Sequence, residues 1–92
     1  MDANINTAAD SADLELIREL GRKYAREHSI PSMNLASDYL LASEGQEHLE
    51  LYAQFAAGLL DEVRAGSITA DQQKRRIQIF ATLLNGRLHR QA

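Results

Sequence analysis

His48 follows Glu44 by one helical turn and sits beside Glu47 and Glu50. An imidazole and a carboxylate at that spacing share a helical face and could begin a metal site. One such pair does not hold an ion. A two-metal bundle needs several carboxylates and a second Glu-x-x-His element, which the sequence lacks, and His28 and His89 fall near helix ends, where a cation meets the dipole. All three histidines are expected to be solvated, with no metal bound. Nucleophilic catalysis has no support either, because there is no cysteine, no Gly-x-Ser-x-Gly turn and no contextualised Ser/His/Asp set. Gly21, Gly45, Gly58, Gly66 and Gly86 are too scattered for a phosphate-cradling loop. A packing of four helices also leaves little room for the roughly 300 Å³ that a small-molecule site needs. The expectation is a protein without cofactor that is not an enzyme.

The residues best suited to recognition are charged. From Asp38 to Glu62 there are six acids and no Lys or Arg, whereas Arg64 to Ala92 carries six cations against the single acid Asp71. The net charge of -3 conceals this separation. Two readings follow. The basic end could meet an acidic partner or a phosphate backbone, or an acidic third helix could lie antiparallel to a basic fourth helix and satisfy it, within the chain or across subunits. At helical spacing Arg76, Ile79, Leu83, Arg87 and Arg90 share one side, and an apolar strip edged by arginines suits a protein interface. These five, supported by Lys74 and Arg75, are the expected partner-binding residues. Glu44, Glu47 and Glu50 form a secondary acidic surface that could mimic phosphate toward a basic partner.

A helix-turn-helix over Leu20 to Leu41 fails on two counts. Asp38 would occupy an apolar anchor position, and Pro31 would stretch the turn beyond its usual length. The reader helix would also present Asp38 and Glu44 to phosphate, with no Arg, Lys or Gln for base edges.

The elements that must position these residues are helical. Fourteen Ala and thirteen Leu outweigh six Ile and one Val among 92 residues, so helix formers dominate strand formers. The first dozen residues are small and polar, and residues 1–11 are expected to be a flexible tail before a single helical domain over 12–92. The first helix is predicted from Ala12 to about His28, capped by Asp10 or Ser11, with Leu14, Ile17, Gly21, Tyr24 and Ala25 inward. Pro31 breaks the chain, with either Pro31 opening the second helix or Ser32 capping it, and that helix runs to about Ser43 or Glu44, where Gly45 either makes a kink or turn or is carried inside one longer helix. A third helix from about Gln46 to Ala65 places Leu49, Tyr52, Ala56, Leu59, Leu60 and Val63 on one face, with Leu51 and Phe55 beside it. Gly66 stops it, and Ile68 with Thr69 to Gln72 reads as a staple and capping box for a fourth helix from Ala70 to about His89. Gly21 and Gly58, inside helices, are expected to mark a tight crossing.

The stretch Leu59 to Phe80, LLDEVRAGSITADQQKRRIQIF, resembles the short two-helix hairpins of bacterial SHOCT-type domains: a leucine-rich helix, a glycine turn, Ile-Thr and an acidic first turn recur there. The resemblance spans about a quarter of the chain. It departs from the pattern after Thr69, where the aromatic and the glutamates are missing, and it carries no function.

The sequence therefore predicts an all-α bundle of four helices with an antiparallel C-terminal hairpin, the first two helices packing across it. No apolar run approaches the roughly 20 residues that span a bilayer, and no secretory signal opens the chain. A cytoplasmic protein is expected, and alanine and arginine usage suggests a bacterial or phage gene. The expected function is a non-catalytic protein-binding module, a small regulator, adaptor or inhibitor that docks a helical surface on a larger protein. The alternatives are a nucleic-acid-binding regulator that uses the basic last helix as a dimer, and a structural oligomer subunit. A short chain without disulfides favours a homodimer in each case.

Overall fold

The computed structural model describes residues 9–91, and these form four helices with no strand among the described residues. α1 spans Ser11–Glu27, α2 Ile30–Leu41, α3 Gly45–Arg64 and α4 Ala70–Gln91. None is long and apolar enough to cross a membrane. Asp10 caps α1 by accepting the Ala12 amide at 3.0 Å. Ala9 is already buried, and its amide donates to Glu50 Oε1 at 2.9 Å. The folded part thus begins before residue 12, and residues 1–8 of the expected tail lie outside the described residues.

The start of α2 differs from expectation. Ser29 is the cap, its hydroxyl accepting the Ser32 amide at 3.2 Å, and Pro31 lies within the first turn, where no intrahelical donor is needed. The link from α1 is only His28 and Ser29, and Pro31, inside α2, does not stretch the turn. His28 closes α1 in the left-handed region, at φ 53°. α2 still contains no Lys or Arg, which leaves the charge objection to DNA reading in place. The stop of α3 follows the pattern read from Gly66. Gly66 has φ +81°, its amide donates to Val63 O, and Ser67 N donates to Glu62 O, each at 3.0 Å. Thr69 and Gln72 then exchange bonds of 2.9 and 3.1 Å, so the expected capping box starts α4.

The tightest packing is between α1 and α3, and α3 meets α4 over a smaller area than the predicted C-terminal hairpin implies. Ala9 lies beside Glu50, Gly21 beside Gly58 and Arg26 beside Glu62, so α1 and α3 run in the same direction. Gly21 and Gly58 form the expected tight crossing. A Cβ on Gly58 would lie 2.9 Å from the Arg22 amide nitrogen and collide with the Arg18 carbonyl, and one on Gly21 would collide with the Phe55 carbonyl. Three aromatic rings, one from each of α1, α3 and α4, stack beside this crossing. Tyr24 and Phe55 have centroids 5.7 Å apart and Phe55 and Phe80 4.1 Å. The Tyr24 hydroxyl, buried with its ring, donates to Arg76 O at 2.9 Å and ties α1 to α4.

The buried face of α3 is Leu51, Phe55, Gly58, Leu59 and Glu62. Leu49 and Leu60, expected in the core, are 65 % and 39 % exposed. The apolar arc of α3 is wider than one contact can cover, and the glycine crossing selects the side that turns inward. The molecule measures 40 × 33 × 18 Å, about two helix diameters thick, so each helix keeps an outer side.

Gly58→Ala is expected to lose about 1–3 kcal/mol of stability, since a clash with backbone outweighs the gain in helix propensity. Gly86→Ala, where the new carbon meets only Arg90 Nη1 at 3.8 Å, should instead gain up to about 1 kcal/mol. Urea denaturation of both variants checks the contrast, and equal effects of either sign would contradict it.

Candidate functional site

The register of α4 is set by the Thr69–Gln72 box at one end and by Phe80 and Leu84, both buried, in the middle. Ile77 and Leu83 pack half-buried against that core. This phase decides where the predicted binding residues point. Lys74, Arg75, Ile79 and Arg90 are exposed, Ile79 to 46 %. Arg75, Gln78, Ile79 and Thr82 line a shallow, open concavity of about 400 Å³. Arg76 is half-buried, and its Nε has no hydrogen-bond partner among the described residues.

Leu83 and Arg87 are drawn into the fold instead. Arg87 donates to Ser37 Oγ and pairs with Asp38 Oδ1 at 2.7 Å, which fastens α4 to α2. Sequence spacing places Arg87 on the same side as Ile79, but a long side chain at the edge of a buried stripe reaches an acid on the neighbouring helix. The exposed part of the predicted surface is Lys74, Arg75, Ile79 and Arg90.

The acids at the C-terminal end of α3 find their complement in α1, not α4. Asp61 receives Arg18 Nε and Nη2 at 2.8 Å each and Arg22 Nε at 2.9 Å, and Arg26 Nη1 reaches the buried Glu62 at 3.1 Å. These pairs form because α1 and α3 lie parallel with their charged edges in step. Arg87 is the one α4 side chain in an ion pair among the described residues. Lys74, Arg75 and Arg90 therefore keep their charge available.

On the secondary acidic surface Glu50 is occupied by Ala9 N and by Gln46 Nε2 at 3.0 Å, whereas Glu44 and Glu47 have no ion pair among the described residues. His48 is half-buried, with Nδ1 3.0 Å from Leu40 O, and His89 Nδ1 lies 2.9 Å from Asn85 O. His48 thus stitches α3 to the end of α2 rather than standing in solvent. Among the described residues no three His, Asp or Glu side chains converge as metal ligands would. A second open groove of about 470 Å³ lies between α3 and α4, along Tyr52, Ala81, Leu84 and Leu88. Sequence reasoning missed it because Leu49, Tyr52 and Leu60 read as core; the uncharged run from Leu51 to Leu60 was the available signal.

The hydrogen bonds from Arg18, together with those from Arg22 and against an opposing effect of burial, hold the Asp61 carboxyl well below the usual carboxylate range. Because its folded value lies below its unfolded one, the unfolded chain takes up the proton first, and stability falls as pH drops below about 4. Asp61→Asn should be less stable at neutral pH and show a flatter loss on acidification. Denaturant midpoints from neutral pH to about pH 3 measure this, and parallel losses in both proteins would remove Asp61 from the acid response. No protein family, curated protein or solved structure matches the chain.

Proposed function

We propose that the protein is a non-catalytic protein-binding module, a small cytoplasmic regulator, adaptor or inhibitor of bacterial or phage origin. It docks the outer side of α4 on an acidic surface of a larger protein. The observation that carries this reading is the uneven use of cations. The arginines of α1 are taken up by Asp61 and Glu62 inside the fold. Lys74, Arg75 and Arg90 have no ion pair among the described residues, and Arg75 lines one concavity with the exposed Ile79. An aliphatic anchor beside the basic Arg75, over a shallow concavity lined by Gln78 and Thr82, suits a protein surface that offers a carboxylate beside an apolar patch. Two further features favour a protein partner over nucleic acid. The exposed cations without an ion pair on α4 are few and spread along the helix, and α2 presents Asp38 and no basic residue. Phosphate-tracking surfaces are broader and more continuously basic.

Co-purification from the native host, with the retained macromolecule identified, is expected to yield a protein. Lys74→Glu/Arg75→Glu and Ile79→Asp should each weaken its binding about tenfold or more with unchanged circular dichroism, since all three side chains are exposed. Duplex DNA and RNA supply the opposing arm. Binding whose affinity falls steeply with added salt, and which disappears in Lys74→Glu/Arg75→Glu, would replace the protein-binding reading with the nucleic-acid one.

A further inference from the structure

The outer side of α3 is an apolar face left largely open among the described residues, flanked on its α1 side by Leu14 and Arg18. Leu49 and Leu60 are 65 % and 39 % exposed, Ala53 between them is exposed, and Ala56 and Ala57 are half-buried. These residues recur at the spacing of one helical face, and no charged residue occurs from Leu51 to Leu60. Single exposed leucines are ordinary. Here two of them, about three turns apart, are joined by alanines into one strip along a helix about 30 Å long. The strip borders the groove lined by Tyr52, Ala81, Leu84 and Leu88, and Leu88 is itself 39 % exposed.

The charges that bound the strip are complementary and unused. Glu44 stands at the N-terminal end of α3 with no side-chain capping bond. Arg64 is the last residue of α3 and is exposed. Neither has an ion pair among the described residues.

We propose that this face binds a second copy of the chain, α3 against α3, antiparallel about a two-fold axis that passes between Gln54 and Phe55. In that register Leu49 of one copy faces Leu60 of the other and Ala53 faces Ala56. Arg64 arrives at Glu44 on both sides of the axis, as a self-complementary interface requires. A parallel pairing would set Glu44 on Glu44 and Arg64 on Arg64, which like-charge repulsion disfavours. The alanines permit close approach at the crossing, and the leucines supply the buried area at each side. Leu88 and the groove wall extend the contact toward the roughly 800 Å² per partner of a stable interface. Ile79 and Arg75 lie on the opposite side of α4 from Ala81 and Leu88, so the dimer presents two copies of the α4 surface. The dimer stands independently of the function proposed for that surface.

The absence of cysteine makes the register testable by cross-linking the full chain. An equimolar mixture of Leu49→Cys and Leu60→Cys should form a disulfide-linked heterodimer under mild oxidation. Each variant alone should not cross-link, because identical positions lie about 16 Å apart along the helix axis, beyond disulfide reach. Sedimentation equilibrium should show a wild-type dimer and a monomer for Leu60→Glu with unchanged circular dichroism. Arg64→Glu should weaken association about tenfold, and Glu44→Arg/Arg64→Glu should restore it. A wild-type monomer at every attainable concentration would overturn the proposal. So would self-cross-linking of either single-cysteine variant, or a double charge reversal that fails to restore the dimer.

Discussion

The contact between Gly21 and Gly58 governs how the chain is arranged. Each glycine presents bare backbone to the other helix, and a Cβ on either would fall on main-chain atoms that cannot yield. At that separation the side chains flanking the crossing are brought into range together. Arg18 and Arg22 reach Asp61, Arg26 reaches Glu62, and Tyr24 lies against Phe55. Two glycines that weaken their own helices by about 1 kcal/mol each thus create the setting in which the ion pairs and the aromatic stack form.

Because α1 and α3 take so much of each other's surface, α2 and α4 are held by fewer, more specific contacts. Phe80 completes the aromatic stack, the Tyr24 hydroxyl holds the Arg76 carbonyl, and Arg87 grips Ser37 and Asp38 on α2. Polar contacts at the edge of a small core contribute less to stability than to placement, since partly exposed pairs are worth little in energy but specify rotation. They fix which side of α4 looks outward. In a body only 18 Å thick, that outward side is a substantial part of the surface.

Two surfaces result, with different physical characters. The outer side of α4 combines unpaired cations with one aliphatic anchor and is proposed to meet an acidic protein. The outer side of α3 is uncharged along its middle, carries opposite charges at its ends and is proposed to meet its own copy. Both arise from one allocation. The α1 arginines neutralise α3 at Asp61 and Glu62, so Lys74, Arg75 and Arg90 of α4 and the terminal charges of α3 have no ion pair among the described residues.

Much of the architecture was legible in the sequence, because the signals that set it are local. Asp10 as a cap, Gly66 as a stop, Thr69 and Gln72 as a capping box and the abundance of Ala and Leu each act through neighbouring backbone groups, and each is realised. The glycine crossing could be anticipated for the same reason, since glycine inside a helix is costly unless something approaches closely. Which partner each helix takes was not legible. Leu49, Leu60 and Arg87 carry patterns compatible with two environments, core or surface for the leucines and interface or clamp for the arginine. The acids of α3 could have been satisfied by α1 or by α4. Only the packing of α1 along α3 resolves these choices, because covering a broad apolar arc is a competition between helices. Its outcome depends on their separation and direction in space, and neither is encoded in the periodicity of any single segment.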